Sequence, residues 1–164
     1  MSRSTEANWY GHERPRTGKV LIINNLSKAQ LPTQTDVKNV YDTLTDVGLD
    51  VDEPMLDLTS SETQTYLKEA IGEHANYSKY NMLVLYVIAH GVCTGEGEDC
   101  IMGTDREPIS VHHELIKPIC AIRSMLNMPK VLFIDACRIE GEGYKSATGG
   151  WGRGIHHNVS LPLC

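Results

Sequence analysis

Two short apolar runs stand out along the chain, and each is followed by residues that can do chemistry. Residues 81–89 (NMLVLYVIA) lead into His90, and residues 131–134 (VLFI) lead into Asp135 and Cys137. Runs of this length, rich in β-branched and aromatic residues, predict strands that are buried on both faces of a parallel sheet. Because ligand sites in open α/β sheets lie outside the carboxyl ends of the strands, these side chains are expected at one sheet edge.

The remaining apolar pattern alternates predicted strands and helices. A strand is predicted over 19–25, and apolar residues at three- and four-residue steps predict a helix over 33–47 that ends at Gly48. A weaker strand over 50–58 contains Pro54, so it is expected to be irregular or at an edge. The later elements are a helix over 62–75 capped by Ser60 or Ser61, a small hairpin of 100–103 with 108–111, and a helix over 112–125.

This order of elements predicts an α/β protein. Two strand–helix units and a third strand are followed by the hairpin, a helix and the strand that ends near Cys137. We expect a three-layer arrangement, in which a mostly parallel sheet has helices on both faces and right-handed connections.

The residues at the two strand ends indicate nucleophilic catalysis. By default a free cysteine is a buried, unreactive residue. A neighbouring imidazole changes that, because His90 can take the proton of the Cys137 thiol and later protonate a leaving amine while the thiolate attacks a carbonyl carbon. Gly91 adds a backbone N–H that a substrate oxygen can approach without obstruction, as an oxyanion hole requires.

At these residues the chain resembles the caspases. The motifs AHG at 89–91 and DACR at 135–138 are similar to the His-Gly and Gln-Ala-Cys-Arg-Gly motifs of that family, whose histidine precedes the cysteine motif by about 50 residues. Here the separation of His90 and Cys137 is 137 − 90 = 47. The resemblance also covers VLIINN at 20–25, TDVKNV at 35–40 and IMGTD at 101–105.

The resemblance implies a cysteine endopeptidase with the caspase fold. Cys137 would be the nucleophile, His90 the general base and acid, and the N–H groups of Gly91 and Cys137 the oxyanion donors. The substrates would be proteins or peptides in a death, inflammatory or other signalling pathway. The competing hypothesis is a catalytically weak homologue that regulates an active relative by pairing with it, because a family fold does not guarantee activity.

The predicted substrate pocket departs from the caspase pattern. Caspases hold an aspartate before the scissile bond with an arginine and with the glutamine of the cysteine motif; here the arginine's position falls at or next to Pro32, and Asp135 replaces the glutamine. Paracaspases and metacaspases have an aspartate at that position and prefer arginine or lysine. By this resemblance, Asp135 and Asp36 form a pocket for a basic residue, unless Asp135 pairs with Arg138 or with an arginine of another chain.

Composition narrows the remaining possibilities. The net charge of −6 without a dense basic cluster argues against a nucleic-acid partner, and no apolar run is long enough to span a membrane. Cysteines that are odd in number and widely spaced predict reduced thiols in the cytoplasm. His156 and His157 are interpreted as a solvated pair. No metal or other cofactor is predicted, since the spacing of structural zinc sites is absent from Cys93, Cys100, His112 and His113.

The expected domain organisation follows the resemblance. Residues 1–17 are predicted to be a flexible leader, 18–139 the catalytic domain, and 140–164 a mobile loop beside the active site. Caspases complete their sheet, substrate groove and dimer contact with a small subunit after this loop. Its absence before Cys164 leaves three explanations open: it was removed, it is another chain, or it never existed.

The predicted partner is therefore a small-subunit chain or a second copy of this chain. Without such a partner, we expect the strand over 131–134 to be left as an exposed apolar edge of the sheet.

Overall fold

The computed structural model describes residues 17–26, 31–94, 96–137, 139–140 and 156–163, of which 31–33, 137, 139–140 and 156–163 are described by their backbone. The first half forms β1 (Gly18–Asn24), α1 (Leu31–Asp46), β2 (Asp50–Val51), β3 (Met55–Leu56), α2 (Ser60–Ile71) and β4 (Met82–Ala89). The second half forms β5 (Gly91–Cys93), β6 (Asp99–Met102), β7 (Pro108–Ser110), a π-helical segment (Val111–Ile116), α3 (Lys117–Ala121), a 3₁₀ turn (Arg123–Met125), β8 (Lys130–Cys137), β9 (Ile139–Glu140) and β10 (His156–Leu163).

Two sheets organise the described part of the chain. The main sheet has the order β10-β8-β4-β1-β2, with β3 also beside β1. Its pairs are parallel except for β10, which runs antiparallel to β8. A smaller sheet has the order β7-β6-β5-β9. The α/β architecture with a mostly parallel sheet, predicted from the sequence, is confirmed.

Helices cover both faces of the main sheet. Because side chains alternate along a strand, each buried strand supplies apolar residues to both sides. One cluster, packed under α1, includes Val20, Ile22, Val84 and Ile88. The opposite cluster, packed under α2 and the segment 111–125, includes Leu21, Ile23, Leu83 and Leu85.

The start of α2 differs from the prediction. The N-cap is Thr59 and not Ser60 or Ser61. The Thr59 hydroxyl accepts a hydrogen bond from the N–H of Glu62 (3.3 Å), and the Glu62 carboxylate accepts one from the N–H of Thr59 (2.9 Å). This reciprocal capping box satisfies two backbone donors that a serine cap one residue later would leave to solvent.

The third predicted helix is broken into three short pieces. Proline has no N–H to donate, and its ring clashes with the carbonyl one turn earlier, so Pro118 cannot sit inside a regular α-helix. The N–H of Lys117 bonds to the carbonyl of His112, which gives the wider π turn before α3. In the described ranges, no helix has both the length and the apolar character that a membrane crossing needs.

The expectation that β8 forms the sheet edge is wrong. β10 pairs with it from His156 opposite Cys137 to Leu163 opposite Lys130. The alternation in HHNVSLPL places Val159, Leu161 and Leu163 on one face of β10, a strand pattern that the glycine-rich stretch before it obscured. Pro162 is compatible with this place because β10 is itself an edge strand. Residues 1–16 and 141–155, predicted to be leader and loop, lie outside the described residues.

The buried amide of Asn25 joins four parts of the fold just beyond β1. Its Nδ2 donates to the Thr63 hydroxyl on α2 (3.3 Å) and to the Met102 carbonyl on β6 (3.4 Å). Its Oδ1 accepts from the N–H of Leu58 (3.1 Å). One side chain thus holds α2 and the smaller sheet against the carboxyl edge of the main sheet.

Replacement of this amide is expected to destabilise the whole chain. Asn25→Ala leaves the Leu58 N–H and the Met102 carbonyl without this partner, so the free energy of unfolding should fall by about 2 kcal/mol. Urea denaturation followed by circular dichroism measures the change. The exposed turn residue Asn76 provides a matched control, since Asn76→Ala should cost no more than about 0.5 kcal/mol. Equal stability of the two variants would contradict the role given to Asn25.

Candidate active site

The register between β4 and β8 fixes the candidate site. The two strands pair in parallel from Leu83 opposite Lys130 to Ala89 opposite Ala136. The residue numbers of each pair differ by the same amount, 136 − 89 = 47. His90 follows Ala89 and Cys137 follows Ala136, so the numbers of these two residues also differ by 47.

The same offset continues beyond the two residues. The segment that follows His90 enters β5, and the segment that follows residue 138 enters β9. These two strands pair in the smaller sheet. There Val92 lies opposite Ile139, so the offset is again 139 − 92 = 47. His90 and Cys137 therefore occupy facing positions at the junction between two sheets, with paired strands on both sides. Facing positions on adjacent strands are about 4.8 Å apart in the pairing direction.

Small residues allow both segments of the chain to pass from the main sheet to the smaller sheet. Ala89 and Gly91 flank His90, and Ala136 precedes Cys137. Small side chains and glycine leave room for the close backbone approach at such a crossing. The His90 carbonyl accepts a hydrogen bond from the N–H of Met102 (2.8 Å), which attaches this residue to β6.

The predicted catalytic residues thus lie together at the carboxyl edge of the main sheet. His90 is half-buried, and Gly91 is buried at the start of β5 opposite Ile101. Side chains of one row along a strand share a face, and His90 continues the row of Tyr86 and Ile88 that lies under α1.

The two predicted pocket carboxylates lie on the α1 side of the sheet. Asp135 is half-buried on β8, paired with Ile88, in the same row as Phe133. Asp36 is exposed on the first half of α1. Burial raises the pKa of Tyr86, and the negative charges of Asp135 and Asp36 raise it further. Both carboxylates are therefore within electrostatic range of one phenol group.

Tyr86 was not singled out in the sequence. Its ring packs against Phe133, with the ring centroids 5.8 Å apart. In the sequence it is one more apolar residue of the strand, and only the register to Phe133 and the position of α1 reveal that the charges of Asp135 and Asp36 act on its hydroxyl. Pro32, at the place of the caspase arginine, lies in the first turn of α1, which begins two residues earlier than predicted. The suggested partner Arg138 lies outside the described residues.

A further pair of polar residues was missed because β10 was not predicted. His156 lies opposite Cys137, and Asn158 lies opposite Asp135. Paired residues of antiparallel strands share a face of the sheet. Positions 156 and 158 therefore lie in the same row as positions 137 and 135 at this end of the sheet. The interpretation of His156 and His157 as a solvated pair stays a prediction.

The described residues contain no metal-type cluster of three or more histidine, cysteine or acidic side chains. His112 and His113 pack ring edge to ring face, 5.1 Å apart, and both are exposed. Burial raises the pKa of the Cys100 thiol, and the nearby Glu98, Asp99 and Cys93 raise it further. A thiol of this kind is less prone to form the thiolate that metal binding or catalysis needs.

Comparison with known proteins agrees with the geometry. The caspase domain model matches residues 17–157, which is most of the chain. The chain therefore belongs to the caspase family of cysteine peptidases. No curated protein matches it.

The electrostatic link between the acidic pair and Tyr86 can be measured. Asp135→Asn and Asp36→Asn each remove a negative charge that disfavours the phenolate, so each should lower the pKa of Tyr86 toward its ordinary value. Titration of 13C-labelled tyrosine by NMR gives the individual values. Asp46→Asn, which lies on the same helix as Asp36, is the control and should leave the pKa of Tyr86 unchanged. None of the three variants should change the pKa of Tyr66. An unchanged Tyr86 in Asp135→Asn would place Asp135 away from it.

Proposed function

We propose that the chain is a cysteine endopeptidase that hydrolyses peptide bonds through Cys137 and His90. The observation that supports this proposal is the offset of 47, which is maintained before and after the two residues and gives positions 90 and 137 facing places in the backbone. Membership of the caspase family supports the same reaction. The reduced cysteines expected from the sequence favour action in the cytoplasm. The resemblance to the caspases implies a cell-death or other signalling pathway.

The reaction follows from these positions. His90 takes the proton of the Cys137 thiol, and the thiolate attacks the carbonyl carbon of the scissile bond. The negative oxygen of the tetrahedral intermediate accepts hydrogen bonds from the N–H groups of Gly91 and Cys137. His90 then gives its proton to the leaving amine as the C–N bond breaks. Water, deprotonated by His90, attacks the resulting thioester, and release of the carboxylic acid restores the thiol.

The proposed specificity is for a basic residue before the scissile bond. Asp135 and Asp36 carry negative charge toward the α1 side of the site, and their effect on Tyr86 supports a common location. A substrate arginine or lysine would be attracted there, as in paracaspases and metacaspases. A substrate aspartate would meet like charges, a contact that can cost several kcal/mol in a desolvated pocket.

One observation favours a second candidate function. β10 occupies the outer edge of β8, where a further strand would otherwise add to the sheet. Within a caspase-type assembly, such a strand would block the edge at which a small subunit completes the sheet, and this favours weak catalysis. The alternative is therefore a catalytically weak homologue that binds and regulates an active relative.

Thiol reactivity distinguishes the two functions. Alkylation by iodoacetamide, followed for each cysteine by mass spectrometry from about pH 6 to about pH 9, should be fastest at Cys137 near neutral pH, since a neighbouring imidazole favours the thiolate. His90→Ala should slow alkylation of Cys137 and lower peptidase activity by about 10²–10⁴-fold. Cys93 and Cys100 are internal controls and should react at the same rates in both proteins. A Cys137 that reacts no faster than Cys93 in the unmodified chain supports the regulatory alternative.

A peptide library tests the specificity. The chain should cleave after arginine and lysine faster than after aspartate, and Asp135→Asn should lower kcat/KM for basic substrates by about tenfold or more, because the loss of a charge pair in a pocket exceeds about 1.4 kcal/mol. Asp46→Asn serves as the control and should keep the preference. Cleavage after aspartate at an equal or higher rate would show that Asp135 does not determine specificity.

A further inference from the structure

A cavity of about 440 Å³ lies apart from the candidate active site, between the end of β1, helix α1 and the β2–β3 connection. Its apolar walls come from Val37 and Tyr41 on α1 and from Pro54 and Leu56 on the opposite side. A concave site of this volume, mostly apolar and with a few polar groups, is typical of small-molecule binding sites. In the main sheet, β4 separates β1 from the strand that carries Cys137.

The cavity is also lined by Asn24, a wholly buried residue (0 % exposed) at the carboxyl end of β1. Its Oδ1 accepts a hydrogen bond from the N–H of Leu26 (2.9 Å), which fixes the orientation of the amide. The backbone carbonyl of Asn24 accepts from the N–H of Asp57 (2.8 Å). Its Nδ2, by contrast, has no hydrogen-bond acceptor among the described residues.

A buried donor without an acceptor is unfavourable, and native structures leave few of them. Nδ2 is closed off from solvent in this structure, so a ligand oxygen reaches it only after the side chains that cover it shift. An acceptor oxygen that enters in this way would satisfy the Asn24 amide. Because the Oδ1 side of the amide is already bonded to Leu26, the site offers an N–H donor and requires an oxygen acceptor from its ligand.

Charges at the mouth of the cavity limit the kind of acceptor. Lys38 forms an ion pair with Asp42, one turn later on α1. Glu53, on the opposite wall, adds a further negative charge, and Gln34 adds a neutral polar group. With the lysine charge balanced by Asp42, the mouth is on balance negative. A carboxylate or phosphate would be repelled, whereas a neutral carbonyl would not.

We propose that this cavity binds a small neutral carbonyl compound with an apolar body, whose oxygen accepts a hydrogen bond from Nδ2 of Asn24. N-acetylleucine amide has this chemistry: a branched apolar side chain for the walls formed by Val37, Tyr41 and Leu56, and uncharged amide carbonyls for Asn24. The proposal is independent of the reaction at Cys137, because none of its residues belongs to the proposed catalytic or specificity groups.

The test is an NMR titration of the full chain with N-acetylleucine amide up to about 10 mM, a range suited to weak small ligands. The side-chain NH₂ signals of Asn24 should shift with saturation. N-acetylleucine, which carries a carboxylate at neutral pH, should bind at least about tenfold more weakly because of the negative mouth. Asn24→Asp keeps the acceptor for Leu26 and removes the donor, so it should weaken binding of the amide by about tenfold, as followed by the backbone amide signals of Val37 and Tyr41.

Two leucine variants separate the cavity from the rest of the surface. Leu56→Trp places a larger side chain at the wall of the cavity, where Leu56 is 50 % exposed, and should abolish the shifts of Asn24. Leu126→Trp changes a leucine that is 61 % exposed and does not line the cavity, and should leave binding unchanged. The proposal is overturned if the Asn24 NH₂ signals do not shift at any concentration of the amide, if the acid binds as tightly as the amide, or if both tryptophan variants bind equally well.

Discussion

The parallel pairing of β4 with β8 is the constraint on which the proposed site depends. Side chains alternate between the two faces of a strand, so a slip of one residue would turn the apolar rows of β8 to the wrong sides. Both faces are covered by helices, so such a slip would expose or overpack one of the two cores. Burial of the core thereby fixes the alignment of His90 with Cys137.

Polar contacts fix the orientation of helix α2 and of the smaller sheet relative to the main sheet. Asn25 bonds to both α2 and β6, and Asp105 accepts hydrogen bonds from the N–H and the hydroxyl of Ser60 at the start of α2 (both 3.0 Å). Gly103 makes this approach possible, since a Cβ there would lie 2.2 Å from the Ser60 nitrogen. The smaller sheet, which the chain enters after His90, is therefore held against α2 by contacts that any residue larger than glycine at position 103 would prevent.

The sequence was sufficient for elements whose stability comes from long apolar patterns. The strands before His90 and Cys137 were predicted from their continuous apolar runs. Helix α1 was predicted because its apolar residues recur at three- and four-residue steps. β5 and β9 have three and two residues, too few for a pattern, and they exist because the two longer strands deliver them side by side. The Asn24 donor, which has no acceptor within the described part of the chain, could not be predicted either, because its environment depends on the position of α1 and the β2–β3 connection.

Because the chain crosses between the two sheets, the number of residues from His90 to Cys137 can change without changing their facing positions. The offset of 47 between His90 and Cys137 includes the connection from β5 to β6, and an inserted residue there would alter the offset without moving either strand end. An inserted residue next to His90, between β4 and β5, would break the common offset of the two sheets and separate the pair. Among homologues, the distance along the chain between these two residues is therefore free to drift, while the five residues from Ala89 to Cys93 are held to a fixed length.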